Sequence, residues 1–407
     1  MSARLTDPPH AFSFADLRRF PDLEAGNLVA VDATDRLVLA EAGDALEATS
    51  APGSPHSRWD RVVVIGDRYG ALTLGAIGLH GVRGVRVHQD RITGEQALVA
   101  NARRVGMVDG FSQLALDEEL FSGAGVVIGQ LPKSLDALRE ISQLAAGHCS
   151  AEVTVFLGGR VKHMNHAMND VLSDSFTDVR ASLAHQKSRV LTASGPRLAG
   201  SGTSPTQYPL QQHHLDLDLR VCAHGAAFAG TKIDIGTRFL LEFLDHMPPA
   251  ARTAVDLGCG TGVIATVLAR ARPQLSVLAT DESAAAVSSA LATVAANGLS
   301  ARVQVQRDDA MSTLADASVD LIVCNPPFHL GTSVQAGASV KLFEAAGRVL
   351  APGGQLWTVF NSPLPYRGRL TRAVGPTRVA GQNQKFTVTV STSPAHDRPK
   401  QGRSAWG

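Results

Sequence analysis

The sequence predicts an α/β protein in which one strand–turn–helix plan is laid down twice. Three observations support this. The apolar run Ala254-Val255-Asp256-Leu257 breaks into Gly258-Cys259-Gly260-Thr261-Gly262 and resumes as Val263 to Leu268, so strand periodicity gives way to helix periodicity as the glycines pass. A second run, Leu275 to Thr280, ends in Asp281, an acid roughly 20 residues beyond the glycines, as in folds that hold a ribose. Far upstream, Arg61 to Leu72 repeats the same strand, glycine and helix rhythm. Two tandem Rossmann-like domains follow, the first of them degenerate.

In chain order, residues 11–50 mix short apolar runs with acids, and Ala51-Pro52-Gly53-Ser54-Pro55 is a loop. Val62 to Ile65 then reads as a strand entering Gly66-Asp67-Arg68-Tyr69-Gly70, Val85 to Asp90 as a strand closing on an acid, and Gly125 to Lys133 as a buried strand running into a turn. Aligning Gly66 with Gly258 puts Asp90 within a residue of the place of Asp281, and Pro132 within about two residues of the place of Pro326. That order suggests an internal duplication; the alternative is that two unrelated domains of this class share a rhythm. Either way Asp67-Arg68-Tyr69 puts bulky side chains where a ligand needs open backbone. The first domain, residues 1–194, is therefore expected to be non-catalytic.

A stretch rich in Gly, Ser, Pro and Thr makes 195–210 a linker. The second domain, 211–392, continues with a third short strand at Val303 to Gln306 and a fourth at Val319 to Cys324, which leads straight into Asn325-Pro326-Pro327-Phe328. Leu342 to Leu350 has helical spacing, Ala351-Pro352-Gly353-Gly354 turns, and Gln355 to Phe360 is a strand. Lys385 to Val390 alternates like an edge strand, and 393–407 reads as a flexible tail.

Composition narrows the class. At 407 residues the chain exceeds one ordinary domain, and 44% apolar with 18% charged residues is usual for a globular protein. No apolar run is long enough for a transmembrane helix, and Met1 to His10 has no signal-peptide core. Four scattered cysteines fit reduced thiols in the cytoplasm, and His213, His214, Cys222 and His224 match no zinc spacing, so no metal is expected. With a net charge of +1, any nucleic-acid contact must come from a local basic patch.

Asp256 to Gly262 resembles the first motif of class I S-adenosylmethionine-dependent methyltransferases. Asn325-Pro326-Pro327-Phe328 resembles the fourth motif of those that methylate nitrogen conjugated to a planar system. Phe228-Ala229-Gly230-Thr231-Lys232-Ile233-Asp234-Ile235-Gly236-Thr237 is similar to the lead-in of bacterial ribosomal RNA guanine-N2 methyltransferases, and Phe328-His329 fits the same group. The segments Gly158 to Met164 and Ser182 to Leu191 resemble the large-subunit enzymes more than the small-subunit ones.

The resemblance implies roles. Gly258, Gly260 and Gly262 lie under the S-adenosylmethionine, Asp281 takes its ribose hydroxyls, and Asp256 lies near its amino group unless it merely caps a helix. Asp309 takes the adenine amino group while Asp308 is solvated, and Asp234 and Gly236 close over the donor. Asn325 and the carbonyl of Pro326 accept the two hydrogens of the target amine, and Phe328 stacks on the base unless it is a core side chain. Arg160, Lys162, Lys187 and Arg189 are candidates for ribosomal RNA phosphates, against the plain reading of a solvated face. Three rivals stay open: a small-subunit RNA enzyme, a methyltransferase of DNA or protein glutamine amino groups, and a non-catalytic RNA-binding assembly factor.

Overall fold

The computed structural model describes residues 12–22, 24, 28–50, 61–197, 207–327 and 333–394. The chain divides into two units between Thr206 and Gln207.

The first unit is a seven-stranded sheet of β1 (Val62–Ile65), β2 (Val85–His88), β3 (Phe111–Gln113), β4 (Val126–Gln130), β5 (Thr154–Arg160), β6 (Phe176–Ala181) and β7 (Ser188–Pro196). Its helices are α1 (Ala33–Glu41), α2 (Gly43–Ser50), α3 (Ala71–His80), α4 (Ile92–Val105), α5 (Glu118–Phe121), α6 (Leu135–His148) and α7 (His166–Ser175). The strand order is β3-β2-β1-β4-β5-β7-β6, with β7 antiparallel to both neighbours and the rest parallel. Helices cover both faces. Val62 and Val64 pack with α1 and α3 while Val63 and Ile65 pack with α6 and α7, which is why β1 reads as continuously apolar.

The second unit opens with the hairpin β8 (Leu210–His214) and β9 (Leu219–Ala223), followed by α8 (Ile235–Leu241). Then come β10 (Thr253–Leu257), α9 (Val263–Ala271), β11 (Ser276–Asp281), α10 (Ala284–Ala296), β12 (Val303–Arg307) and β13 (Val319–Cys324). The unit closes with α11 (Ser333–Val349), β14 (Leu350–Asn361), α12 (Tyr366–Ala373), β15 (Thr377–Gln382) and β16 (Phe386–Thr392). Its main sheet runs β12-β11-β10-β13-β14-β16-β15, place for place the order of the first. Both are Rossmann-like methyltransferase sheets.

Strand register places the landmarks of the duplication to the residue. The N–H of Gly66 donates to the carbonyl of His88 at 3.1 Å, and that of Gly258 to Thr280 at 2.9 Å. His88 thus answers to Thr280, and the place of Asp281 falls to Gln89 rather than Asp90. Ile65 pairs with Gly129 as Leu257 pairs with Cys324, so Gln130 answers to Asn325. The spacing of the two copies is the same through β3 and β12 and departs only in the connections that lead to the fourth and fifth strands.

Three other segments differ from the sequence reading. β7 runs through Gly195 and Pro196, the first residues assigned to the linker, of which 198–206 lie outside the described residues. Ala351 to Gly354 is a bulge within β14, marked by the left-handed Gly353 at φ +78, because the pairing skips from Val319↔Leu350 to Leu321↔Gln355. β16 is interior, between β14 and β15: it alternates in polarity, yet Thr387, Thr389 and Ser391 are buried with the valines. Of the tail, Ser393 is held to the backbone of Gly353 and Gly354, and 395–407 lie outside the described residues.

The glycine turn of the first unit is filled from within. Asp67 is fully buried; its Oδ1 accepts the N–H groups of Gly70 and Leu72 at 3.1 Å each, and its Oδ2 accepts that of Thr73 at 2.7 Å. Asn101 donates to the Tyr69 carbonyl at 2.7 Å, and the Tyr69 hydroxyl donates to Asp22 at 2.7 Å. Asp67→Ala would strand three buried donors, so the first unit should lose roughly 2–4 kcal/mol. Urea denaturation followed by hydrogen exchange on α3 checks this, and an unshifted midpoint would contradict it.

Candidate active site

β10 ends in Asp256 and Leu257, after which three left-handed glycines, Gly258, Gly260 and Gly262 at φ +72, +52 and +76, turn the chain into α9. They serve two purposes. A Cβ on Gly258 or Gly260 would meet nothing within 4 Å, so that backbone lies open to a ligand. One on Gly262 would stand 2.9 Å from the Cβ of Ala290, so that glycine serves the packing of α9 on α10.

Asp256 is buried to 0% exposure. Its Oδ2 accepts the N–H of Ala265 at 2.9 Å, while Oδ1 is shielded from solvent and has no hydrogen-bond partner. Burial pushes its carboxyl up to about 7, against the bond from Ala265, and Asp281 adds to the rise. Both readings of Asp256 therefore have a basis: one oxygen caps a helix and the other is left over. Asp281 closes β11 on the rim of the turn, its Oδ2 accepting from Gly260 at 3.0 Å and its Oδ1 from Ser283 at 3.0 Å.

Asp308 is not solvated, as the resemblance implied it would be. Asp308 is buried at 3% exposure. It accepts the backbone N–H and the hydroxyl of both Ser312 and Thr313, and the four bonds hold its carboxyl below its ordinary value against the cost of burial. Asp309 is partly buried and forms an ion pair with Lys341 of α11. The left-handed pair Ala310 and Met311 decides which acid turns in.

Asn325 follows β13 directly. Its Nδ2 donates to Asp234 Oδ2 at 3.0 Å and to Thr237 Oγ1 at 2.8 Å, and its Oδ1 is buried without a donor. Asp234 also N-caps α8, accepting from Gly236 at 2.8 Å and Thr237 at 3.2 Å. Gly236 is buried; a Cβ there would meet the Asp234 carboxylate at 2.9 Å. Pro326 is buried and Pro327 exposed, whereas Phe328 and His329 lie outside the described residues. Thr237 escaped the sequence reading; the signal was an Asp-x-x-Thr start to a helix.

The fit to S-adenosylmethionine rests on these features. Open backbone at Gly258 and Gly260, a carboxylate on the rim and two shielded oxygens without donors suit a ligand that carries hydroxyl and amino groups. The cysteines offer no nucleophile: all are free, Cys222, Cys259 and Cys324 are buried, and burial pushes the Cys149 thiol up to about 12.

In the first unit the four candidate cations come together at one sheet end. Arg160 ends β5 opposite Ser188, Arg189 faces Gly159, and the N–H of Val161 donates to the Lys187 carbonyl at 3.0 Å. Lys162 and Lys187 are exposed, Arg189 is partly buried, and Arg160 stands 3.9 Å from Asp32. Among the described residues no helix is long and apolar enough to cross a membrane, and no group of His, Cys, Asp or Glu is arranged to hold a metal ion.

Comparison with known proteins agrees with this architecture. Residues 6–197 match the RLMG N-terminal domain, and residues 218–390 match the methyltransferase small domain. A ribosomal RNA large subunit methyltransferase G from Streptomyces coelicolor is 35% identical over 91% of this chain and 96% of its own length. Its namesakes from Pseudomonas aeruginosa and Shewanella amazonensis are 32% and 30% identical, over 93% and 92% of this chain and 97% and 94% of theirs. A T. thermophilus 16S rRNA N2 methyltransferase, solved with AdoMet and guanosine, shares the fold at a TM-score of 0.66 and 20% identity, over 87% of this chain and 92% of that one.

The raised carboxyl of Asp256 makes stability depend on pH. Between its ordinary value of 3.8 and about 7 the folded protein keeps a proton that the unfolded chain has released. Stability therefore falls as pH rises through that window. Asp256→Asn cannot titrate, so its melting temperature relative to the wild type should climb by several degrees from about pH 5 to about pH 8. A difference that stays constant with pH would contradict the assignment.

Proposed function

Because the chain belongs to the ribosomal RNA large subunit methyltransferase G family, we propose that it moves a methyl group from S-adenosylmethionine to the exocyclic N2 of a guanine in large-subunit ribosomal RNA. The observation that supports this most is Asn325. Both of its amide hydrogens are spent within the protein, and its Oδ1 is held without a donor beside the glycine motif's own sheet edge.

S-adenosylmethionine supplies an activated methyl group when bound. The chain's own residues do the rest. Gly258 and Gly260 leave room for the donor, Asp281 is the acceptor for its ribose hydroxyls, and the free Oδ1 of Asp256 suits its amino group. Asp309 is the candidate for the adenine amino group and would exchange its ion pair with Lys341 for that contact. The guanine amine is a poor nucleophile because its lone pair is delocalised into the ring. Asn325 Oδ1 and the Pro326 carbonyl accept its two hydrogens and orient the nitrogen, so catalysis is positioning and electrostatics. No residue need remove a proton first, since the proton leaves once the nitrogen has gained charge. Pro326 and Pro327 fix the turn and remove N–H groups that would compete, and Phe328 is the stacking candidate for the extruded base.

The first unit, silent by its filled turn, is assigned to RNA binding through Arg160, Lys162, Lys187 and Arg189. A cytoplasmic location goes with a ribosomal RNA substrate.

Asp281→Ala should weaken donor binding by roughly 1.5–3 kcal/mol in calorimetry. Asn325→Ala should keep donor affinity and lower kcat by about 100-fold or more. Unchanged affinity in the first variant, or full turnover in the second, would overturn the assignment.

Replacing the four cations of the first unit by alanine should flatten the salt dependence of RNA affinity, by roughly 0.7–0.9 of slope for each phosphate that is no longer neutralised. Donor affinity should stay as it was. An unchanged slope with unchanged affinity would leave that face a plain solvated surface.

A further inference from the structure

Asn325 can accept a substrate hydrogen only if its amide points the right way. The oxygen and nitrogen of a primary amide are nearly equal in size, so sterics alone leave both orientations open. Here chemistry chooses. Asp234 Oδ2 stands 3.0 Å from one amide terminus, and a carboxylate so placed accepts a hydrogen but repels an amide oxygen. Thr237 Oγ1, 2.8 Å away, takes the second hydrogen. With both hydrogens engaged, the nitrogen is fixed toward α8 and Oδ1 is left as a buried acceptor without a donor.

We propose that Thr237, together with Asp234, is a positioning residue for methyl transfer, acting on the substrate amine through the Asn325 amide and without touching it. The inference rests on the reading of Asn325 as the acceptor of the target amine. Two effects follow from the geometry. The first is orientation: Asp234 caps α8 and Thr237 sits in that helix's first turn, so the N-terminus of α8 holds the amide from 91 and 88 residues away in sequence. The second is polarisation. Donation to an anion draws electron density onto Oδ1, and bonds in such a chain strengthen one another. That gain grows as the amine acquires positive charge, so it favours the transition state over bound substrate.

The first unit shows the same connection. Gln130, the counterpart of Asn325, donates its Nε2 to Asp35 at 2.5 Å, and Asp35 lies in the first turn of α1 where Thr237 lies in α8. An amide held to a helix N-terminus thus belongs to both units. Among the described residues, only the second unit pairs it with a buried amide oxygen that has no donor at this position.

The test compares Thr237→Val, Thr237→Ser and Asn325→Ala in the full chain, reading kcat, donor affinity by calorimetry and melting temperature. Thr237→Val keeps the shape and removes the acceptor; its kcat should fall on the order of 10- to 100-fold while donor affinity stays within about twofold. Thr237→Ser restores the acceptor and should recover most of the rate, which a packing role for the methyl group would not allow. Wild-type kcat in Thr237→Val, or a fall matched by equal loss of donor affinity, overturns the proposal. If Asn325→Ala itself keeps turnover, the reading of Asn325 fails instead. Should Thr237→Val melt too low to assay, Asp234→Asn decides: it keeps a cap oxygen and loses the charge, and an undiminished kcat there also overturns the proposal.

Discussion

The N–H groups that open the helix after the first strand must find an acceptor, and the two units find it in different places. In the first unit Asp67 comes from within the turn itself and satisfies Gly70, Leu72 and Thr73 together. In the second, Asp256 comes from the end of the strand and reaches Ala265, which stands in its helix where Thr73 stands in α3. Moving the acid from the turn to the strand leaves Gly258 and Gly260 bare, and bare backbone is what a cofactor needs. An orphaned buried acceptor costs about 1–3 kcal/mol, so the second unit holds Asp256 Oδ1 and Asn325 Oδ1 ready at the expense of its own stability. The first has settled that local cost and has no open cradle in return.

The same contrast governs the amide after the fourth strand. In both units it is tied to the first turn of a preceding helix. The two units therefore share this scaffold although their glycine turns differ. Retention of Gln130 is then no sign of activity, and Asp67 in the turn is the firmer sign of its loss.

Much of this was legible in the sequence where the chemistry is local. Glycines forced left-handed at Gly258 and Gly262, an acid closing β11 and Asn325-Pro326 closing β13 all declare themselves within a few residues. What depends on pairing or packing did not. Gln89 emerges as the counterpart of Asp281 only through strand register, and β16 hides its interior place because threonines and serines cover its second face. Asp308 and Asp309 are adjacent and alike; the turn that follows, not their identity, sends the first inward. Thr237 becomes informative only when Asn325, 88 residues on, arrives beside it.

The central claim is that this chain methylates N2 of a guanine in large-subunit ribosomal RNA, using the second unit's site alone. The most direct measurement is labelled methyl transfer from S-adenosylmethionine to purified large- and small-subunit ribosomal RNA, followed by digestion to nucleosides. Label in N2-methylguanosine from large-subunit RNA, abolished by Asn325→Ala and kept with Asp67→Asn, is the predicted result. Label in another nucleoside, in small-subunit RNA only, or surviving Asn325→Ala would contradict it.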